Sequence, residues 1–337
     1  MHAATRASRL LILVVAVASC SNEPTAPTTP TEMFDVFWET FDREYSYFDY
    51  KRINWDSLRT VFRPRAEMAQ SEDALVPVLK QLVAPLRDVH VQFMHADGGV
   101  VASYVPSTKV NWDENAWRVF RNSCGYAQRK PSLGYCTAAG INYLFVGSWN
   151  TSALTVADID AAVDRFRDAP SLIIDVRPNG GGSDELSLAL AGRFATATTT
   201  VGYVRFRDGR RHDSFTDEIV RRVSPRGTFQ FRKPVIVLTG RGVYSSTETF
   251  ISAMRELPNV TVLGDTTGGG SGNPGQHTLK SWRYSVSRWI EWTADRRVIE
   301  WNGIPPDSVV AWTASEVAAG RDPVIAAALT KVGATIR

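Results

Sequence analysis

Leu172-Ile-Ile-Asp-Val-Arg-Pro-Asn-Gly-Gly-Gly182 begins with an apolar run, Leu172 to Val176, and closes on three glycines ahead of a helical pattern from Glu185 to Ala195. An apolar run of this length, bounded by Pro and Gly, predicts a strand buried on both faces that ends in a tight turn. Glycines there let backbone amides approach a ligand closely, and amides at a helix start favour a negative oxygen. The pattern returns downstream. Pro234 to Thr239 predicts a second buried strand, and Tyr244-Ser-Ser-Thr-Glu248 opens a helix over Ser246 to Glu256. Singly, each motif has a plain account. The glycines lack the Lys-Ser/Thr ending of a phosphate loop, and Ser245-x-x-Glu248 has the spacing of a capping box. Together they put the Ser245 hydroxyl at a helix start, where the Ser246 N–H can join those of Gly180 and Gly181 in an oxyanion hole.

Outward from these strands, segments of the two periods alternate. Ile141 to Val146, Val201 to Arg207 and Val260 to Leu263 read as strands, and Asp158 to Arg167 and Asp322 to Lys331 as helices. That order predicts an α/β layered domain. Trp282 to Ile299 reads as a β-hairpin region. Upstream, Phe34, Phe37, Trp38 and Phe41 fall at i, i+3, i+4 and i+7, the stripe of a packed helix, and Trp55 to Phe62 and Ser71 to Leu86 predict two more helices. The expected organisation is a helical N-terminal domain over 33–96, a loop-rich connector over 97–140 and the α/β core over 141–337.

At the N-terminus, Arg6 and Arg9 precede an apolar stretch, Leu10 to Ala18, that is too short to span a bilayer and has the form of a signal peptide over 1–19. Val17-Ala-Ser-Cys20 resembles a bacterial lipobox, which implies cleavage before Cys20 and lipid attachment to it. Residues 20–32, rich in Pro and Thr, then read as a flexible tether. The implied address is the bacterial cell envelope, with the lipid as the only membrane attachment; in a Gram-negative host this is the outer membrane or periplasmic face. Cys124 and Cys136 could form a local disulfide in such an oxidising compartment, or remain buried thiols. The formal charge of +3 falls to +1 once Arg6 and Arg9 are removed, and nothing in it suggests a nucleic-acid partner.

These motifs, with Gly264-Asp-Thr-Thr-Gly-Gly269, Glu300-Trp-Asn-Gly-Ile-Pro-Pro-Asp307 and Gly320-Arg-Asp-Pro323, resemble the S41 peptidase family of C-terminal processing and tricorn-type proteases. The resemblance runs in order over most of residues 34 to 330. It implies a ClpP/crotonase-like core, a peptide or protein substrate and Ser245 as nucleophile. In the C-terminal processing branch a lysine serves as base, but Gly270 stands at the matching place. The tricorn-type branch uses a histidine, matched by His90 in Leu86-Arg-Asp-Val-His90, with a glutamate partner matched by Glu300. That branch carries a serine before the histidine, where this chain has Val89. His277 and His95 are rival bases, and Asp88 could be a helper acid, although an acid beside an arginine, here Arg87, is more often a solvated or capping group. Only fifty residues separate His90 from Ile141, too few for the PDZ domain of many relatives. The chain shows no His-Glu-x-x-His or paired Cys/His spacing, so no metal or other cofactor is expected. Two competing functions remain: a catalytically silent module binding a peptide or apolar ligand, and a crotonase-like acyl-CoA enzyme, which an exported address argues against.

Overall fold

The computed structural model describes residues 27–138 and 140–334, so the signal peptide, Cys20 and the first part of the tether lie outside the described residues. Four helices come first: α1 (Pro30–Glu44), α2 (Phe48–Lys51), α3 (Trp55–Glu67) and α4 (Glu72–Val83), the last running into a 3-10 turn, Ala84–Leu86. Next follow β1 (Gln92–His95), β2 (Val100–Ala102), α5 (Glu114–Ser123), β3 (Ala127–Lys130), β4 (Leu133–Cys136), β5 (Tyr143–Val146), α6 (Val156–Asp164), β6 (Leu172–Asp175), α7 (Asp184–Ala191), β7 (Thr199–Phe206) and β8 (Ile219–Val223). The chain ends with β9 (Val235–Thr239), α8 (Ser246–Arg255), β10 (Val260–Gly264), β11 (Gly275–Leu279), β12 (Trp282–Val286), β13 (Trp289–Thr293), β14 (Ser308–Val309), α9 (Ala314–Ala318) and α10 (Pro323–Lys331).

The core is a seven-stranded sheet in the order β14-β10-β9-β6-β5-β4-β3, parallel from β14 to β5 and antiparallel at the β5-β4-β3 end. Every residue of β5, β6 and β9 is buried, because helices cover both faces. Strand alternation divides them. Leu172, Ile174, Val235 and Val237 pack with residues of α6, α7 and α8, whereas Ile173, Ile236 and Leu238 pack with α5 and α10. Since β6 and β9 are parallel neighbours, their carboxyl ends lie side by side, and the turns that follow them carry Gly180 to Gly182 and Ser245. This is the edge of an α/β sheet where ligands bind.

The helical N-terminal region does not close its own core. Phe34, Phe37 and Phe41 of α1 and Leu75, Leu79 and Leu82 of α4 pack with Tyr284 and Val286 of β12, and the Phe37 and Tyr284 rings are 4.6 Å apart. The sheet beneath is antiparallel, β11-β12-β1-β2, so the helices rest on strands drawn from both ends of the chain. A third sheet, β13-β7-β8, completes the structure.

Three boundaries differ from the sequence reading. Helix α1 takes in the end of the expected tether, because Thr29 and Glu32 form a capping box and Pro30 sits in a first turn that needs no N–H from it. The connector over 97–140 holds β2, α5, β3 and β4. Its last two strands belong to the core sheet, which therefore starts before 141, and it contains no PDZ-like unit among its described residues. Trp282 to Ile299 is not one hairpin: β12 pairs with β11 and β1, while β13 pairs with β7 in another sheet. Cys124 and Cys136 are joined as a disulfide between the end of α5 and β4.

Candidate active site

Ser245 sits where the chain turns from β9 into α8, at φ 56° and ψ −130°. A non-glycine residue at such a φ costs on the order of 1–3 kcal/mol and persists only where its surroundings over-determine it. Here the Ser245 N–H donates to Gly270 O at 2.9 Å and to the Glu248 carboxylate at 3.2 Å. Ser245 and Glu248 stand in the arrangement of a capping box, but the Glu248 N–H goes to the Ser245 carbonyl at 2.7 Å and the Ser245 hydroxyl makes no cap hydrogen bond. Its hydroxyl is left to face a cavity of about 190 Å³, lined with it by Gly182, Ser246, Thr249, Ser271 and Trp289, with the carboxylates of Asp184 and Glu291 in the wall.

Glu248 does more than the capping spacing suggested. Completely buried, it also accepts the N–H groups of Gly269 and Gly270 at 3.0 Å each and the Thr267 hydroxyl at 2.5 Å, so one carboxyl shapes both the serine turn and the second glycine cluster. Burial pushes its pKa up to about 8 against those donors.

The glycine turn is held from below by Arg177, a buried guanidinium paired with Asp175 and Asp322, and by Asn179. Asn179 Oδ1 accepts the Thr247 hydroxyl at 2.8 Å and the Gly181 N–H at 2.9 Å. The Gly181 amide, expected as an oxyanion donor, is therefore engaged within the turn. Among the described residues the N–H groups of Gly180, Gly182 and Ser246 make no hydrogen bond, and Ser246 Oγ binds Gly182 O at 2.8 Å, fastening the helix start to the turn. Gly181 is still required by space: at φ 114°, a Cβ on it would lie 2.8 Å from Ser245 Cβ. Gly181→Ala should lower kcat/KM by about 100- to 1000-fold, through displacement of the turn, and also lower Tm; peptide kinetics with a thermal melt check both.

His90 lies on the turn between the 3-10 turn and β1. Val89 beside it fills the space a side chain at Gly270 would need, 2.5 Å from a Cβ there, with Tyr244 at 2.9 Å. The place that holds the base of the lysine branch is thus closed by the His90 turn itself. Gly270 is also the acceptor of the Ser245 N–H, so the two turns meet around one residue. His90 makes no hydrogen bond to Ser245, and its buried Nδ1 has no hydrogen-bond partner. Catalytic contacts are commonly long before substrate arrives. Burial holds the His90 pKa below its ordinary value, with Asp88 opposing and Lys51 adding to the effect.

The carboxylate facing His90 is Asp88, 3.9 Å from Nδ1, which also accepts the His90 N–H at 2.9 Å. Asp88 is completely buried and takes the Ser287 and Tyr45 hydroxyls at 2.9 and 3.0 Å, so it is not solvated, while its bond from the His90 N–H fits the capping alternative. Lys51 and its other partners keep its pKa below the usual carboxylate value despite burial. Glu300, expected to orient the ring, has other partners here: its Oε1 is bound by Lys51 at 2.5 Å and its Oε2 by the Ser271 N–H at 3.1 Å. Burial and the nearby Asp88 raise its pKa to about 8, with Lys51 opposing. The rival histidines are engaged elsewhere, His277 with Glu44 at 2.8 Å and His95 with Asp97 at 2.9 Å.

Arg177, Asn179 and Lys51 were not singled out from sequence as builders of the site, and Asp88 only as a possible helper acid. Asn179 alone had a local signal, since an Asn ahead of glycines binds their amides. Among the described residues no His, Cys, Asp and Glu group is arranged to hold a metal ion, and no helix is long and apolar enough to cross a membrane.

The site thus sets a hydroxyl at a strained strand-to-helix turn beside unengaged amides and the adjacent His90 turn. The model of peptidase family S41 matches residues 140–310, and that of the tricorn protease C1 domain matches residues 26–84. The chain belongs to peptidase family S41. It is 26% identical over 163 residues to the carboxy-terminal processing protease CtpA of Bacillus subtilis, covering 46% of this chain and 32% of that protein, so it spans about a third of the curated relative it matches. A crystal structure from Parabacteroides merdae ATCC 43184, provisionally named a peptidase, superposes with a TM-score of 0.80 at 29% identity, over 91% of this chain and 97% of that one. The tricorn protease shares the fold, with a TM-score of 0.59 at 14% identity over 90% of this chain and 36% of that one.

Proposed function

We propose that this chain is an exported serine peptidase that cleaves peptide bonds through an acyl-enzyme on Ser245, with His90 as general base. The observation that carries the reading is Ser245 itself, strained, uncapped and facing a cavity beside the unengaged N–H groups of Ser246 and Gly182. His90 removes the Ser245 proton, the alkoxide attacks the peptide carbonyl, and the Ser246 amide with those of the glycine turn holds the oxyanion. His90 then gives its proton to the leaving amine, and water releases the acyl group. Asp88, rather than Glu300, steadies the imidazolium. The N-terminal sequence supports export with lipid attachment at Cys20, to be tested by loss of fatty-acid labelling in Cys20→Ala, and the Cys124–Cys136 disulfide suits an oxidising compartment.

The test is labelling of the folded wild type by a fluorophosphonate, followed by mapping of the adduct. Modification of Ser245 supports the reading; a folded protein left unlabelled favours the silent binding module. Because His90 must be neutral to act as base and its pKa lies below the ordinary 6.5, the acid limb of kcat/KM should have its midpoint under pH 6.5. A midpoint well above that value in a pH-rate profile would count against His90.

A further inference from the structure

Lys51 ends α2 and is buried. Taking an ammonium out of water costs several kcal/mol unless its donors are met. Here Leu86 O accepts from Nζ at 2.8 Å and Glu300 Oε1 at 2.5 Å, with Asp88 Oδ2 at 3.7 Å. The rings of Trp301 and Tyr47 stand 4.9 and 5.3 Å from Nζ and add cation–π attraction. Each acceptor belongs to a segment that builds the site. Leu86 opens the turn that carries His90, and Asp88 holds the His90 N–H and faces its ring. Glu300 binds the Ser271 N–H, and Ser271 follows Gly270, whose carbonyl takes the Ser245 N–H.

We propose that Lys51 is a positioning residue of the active site, its ammonium locking the turn that bears His90 to the loop that seats Ser245. The inference rests on the serine-peptidase reading above. A pair serving stability alone gains little here, since buried ion pairs are commonly replaced by apolar side chains without loss. Phe48 of the same helix is already in the core. What an apolar residue cannot supply is one cation shared by Asp88 and Glu300. Lys51 thereby couples the helical region to the chemistry without touching substrate.

The experiment compares wild type, Lys51→Met and the double variant Lys51→Met/Glu300→Gln, each as the folded full chain checked by circular dichroism. The readouts are the rate of fluorophosphonate labelling of Ser245, peptide kcat and KM, and the titration of the His90 imidazole by NMR. Misplacing a catalytic group by a fraction of an ångström to an ångström costs about 10- to 100-fold. Lys51→Met should therefore label about 10- to 100-fold more slowly, with the loss in kcat, KM within about threefold, and the His90 titration displaced. The double variant replaces the Lys51–Glu300 pair by neutral side chains and leaves Asp88 its Tyr45, His90 and Ser287 donors, so it should fold better than the single variant, and it should be slow as well. A folded variant of either kind with the wild-type labelling rate and His90 titration overturns the inference while leaving the peptidase reading intact. A wild type that Ser245-directed probes never label overturns both.

Discussion

Ser245→Ala should abolish fluorophosphonate labelling and lower kcat/KM for peptide hydrolysis by four orders of magnitude or more, roughly 5 kcal/mol of transition-state stabilisation, while the fold stays intact. Intactness is expected because the Ser245 hydroxyl makes no cap hydrogen bond, and the contacts that hold the turn, Ser245 N–H to Gly270 O and to Glu248, are made by the backbone. Alanine keeps those contacts and also the positive φ. Ser245→Gly offers a second check: glycine adopts that backbone without steric cost, so this variant should be equally inactive yet more stable than Ser245→Ala by about 1 kcal/mol. Activity within tenfold of wild type in a folded Ser245→Ala would move the nucleophile elsewhere, and a Ser245→Gly no more stable than the alanine form would mean that the turn is not strained.

The legibility of the site follows the range of its interactions. The β6 and β9 strands, α8 and the glycine turn were readable because strand period, glycine and helix start are local properties of Leu172 to Gly182 and Val235 to Arg255. The helical stripe of α1 was readable for the same reason, but its partner was not: Tyr284 packs on Phe37 from the far end of the chain. The hairpin expected over Trp282 to Ile299 failed because pairing is a choice among strands. Alternation shows that β12 and β13 are strands without saying that they enter different sheets. The polar framework was the least legible. Lys51 meets Glu300 across 249 residues of chain, and Arg177 meets Asp322 across 145. A buried charge and a solvated one look alike in a sequence, so Asp88 next to Arg87 reads as a solvated or capping group sooner than as a helper acid. Only the fold separates the two, burying Asp88 and leaving Arg87 exposed.

On the proposed reading the buried Asp88 serves the base, and His90→Ala, Asp88→Asn and Glu300→Gln should rank accordingly. His90→Ala removes the proton acceptor and should cost about 1000- to 10000-fold in kcat/KM. Asp88→Asn should cost at least about 100-fold, because it deletes the charge that stabilises imidazolium and replaces an acceptor of the His90 N–H. Its pH signature has a definite sign. The Asp88 charge raises the His90 pKa against burial, so removing it lowers that pKa further, and the acid limb of kcat/KM should move to lower pH even as the plateau falls. A simple loss of folded protein would lower the plateau without moving the limb. Glu300→Gln leaves Asp88 on the ring and disturbs only the Lys51 and Ser271 contacts, so its effect should be smaller than that of Asp88→Asn. Pre-steady-state acylation measured from pH 4 to 8 on the three folded variants checks the order. If Glu300→Gln proves the more damaging and shifts the limb, while Asp88→Asn does neither, then the imidazole turns toward Glu300 when substrate binds, and the 3.9 Å approach of Asp88 to Nδ1 belongs only to the unliganded site.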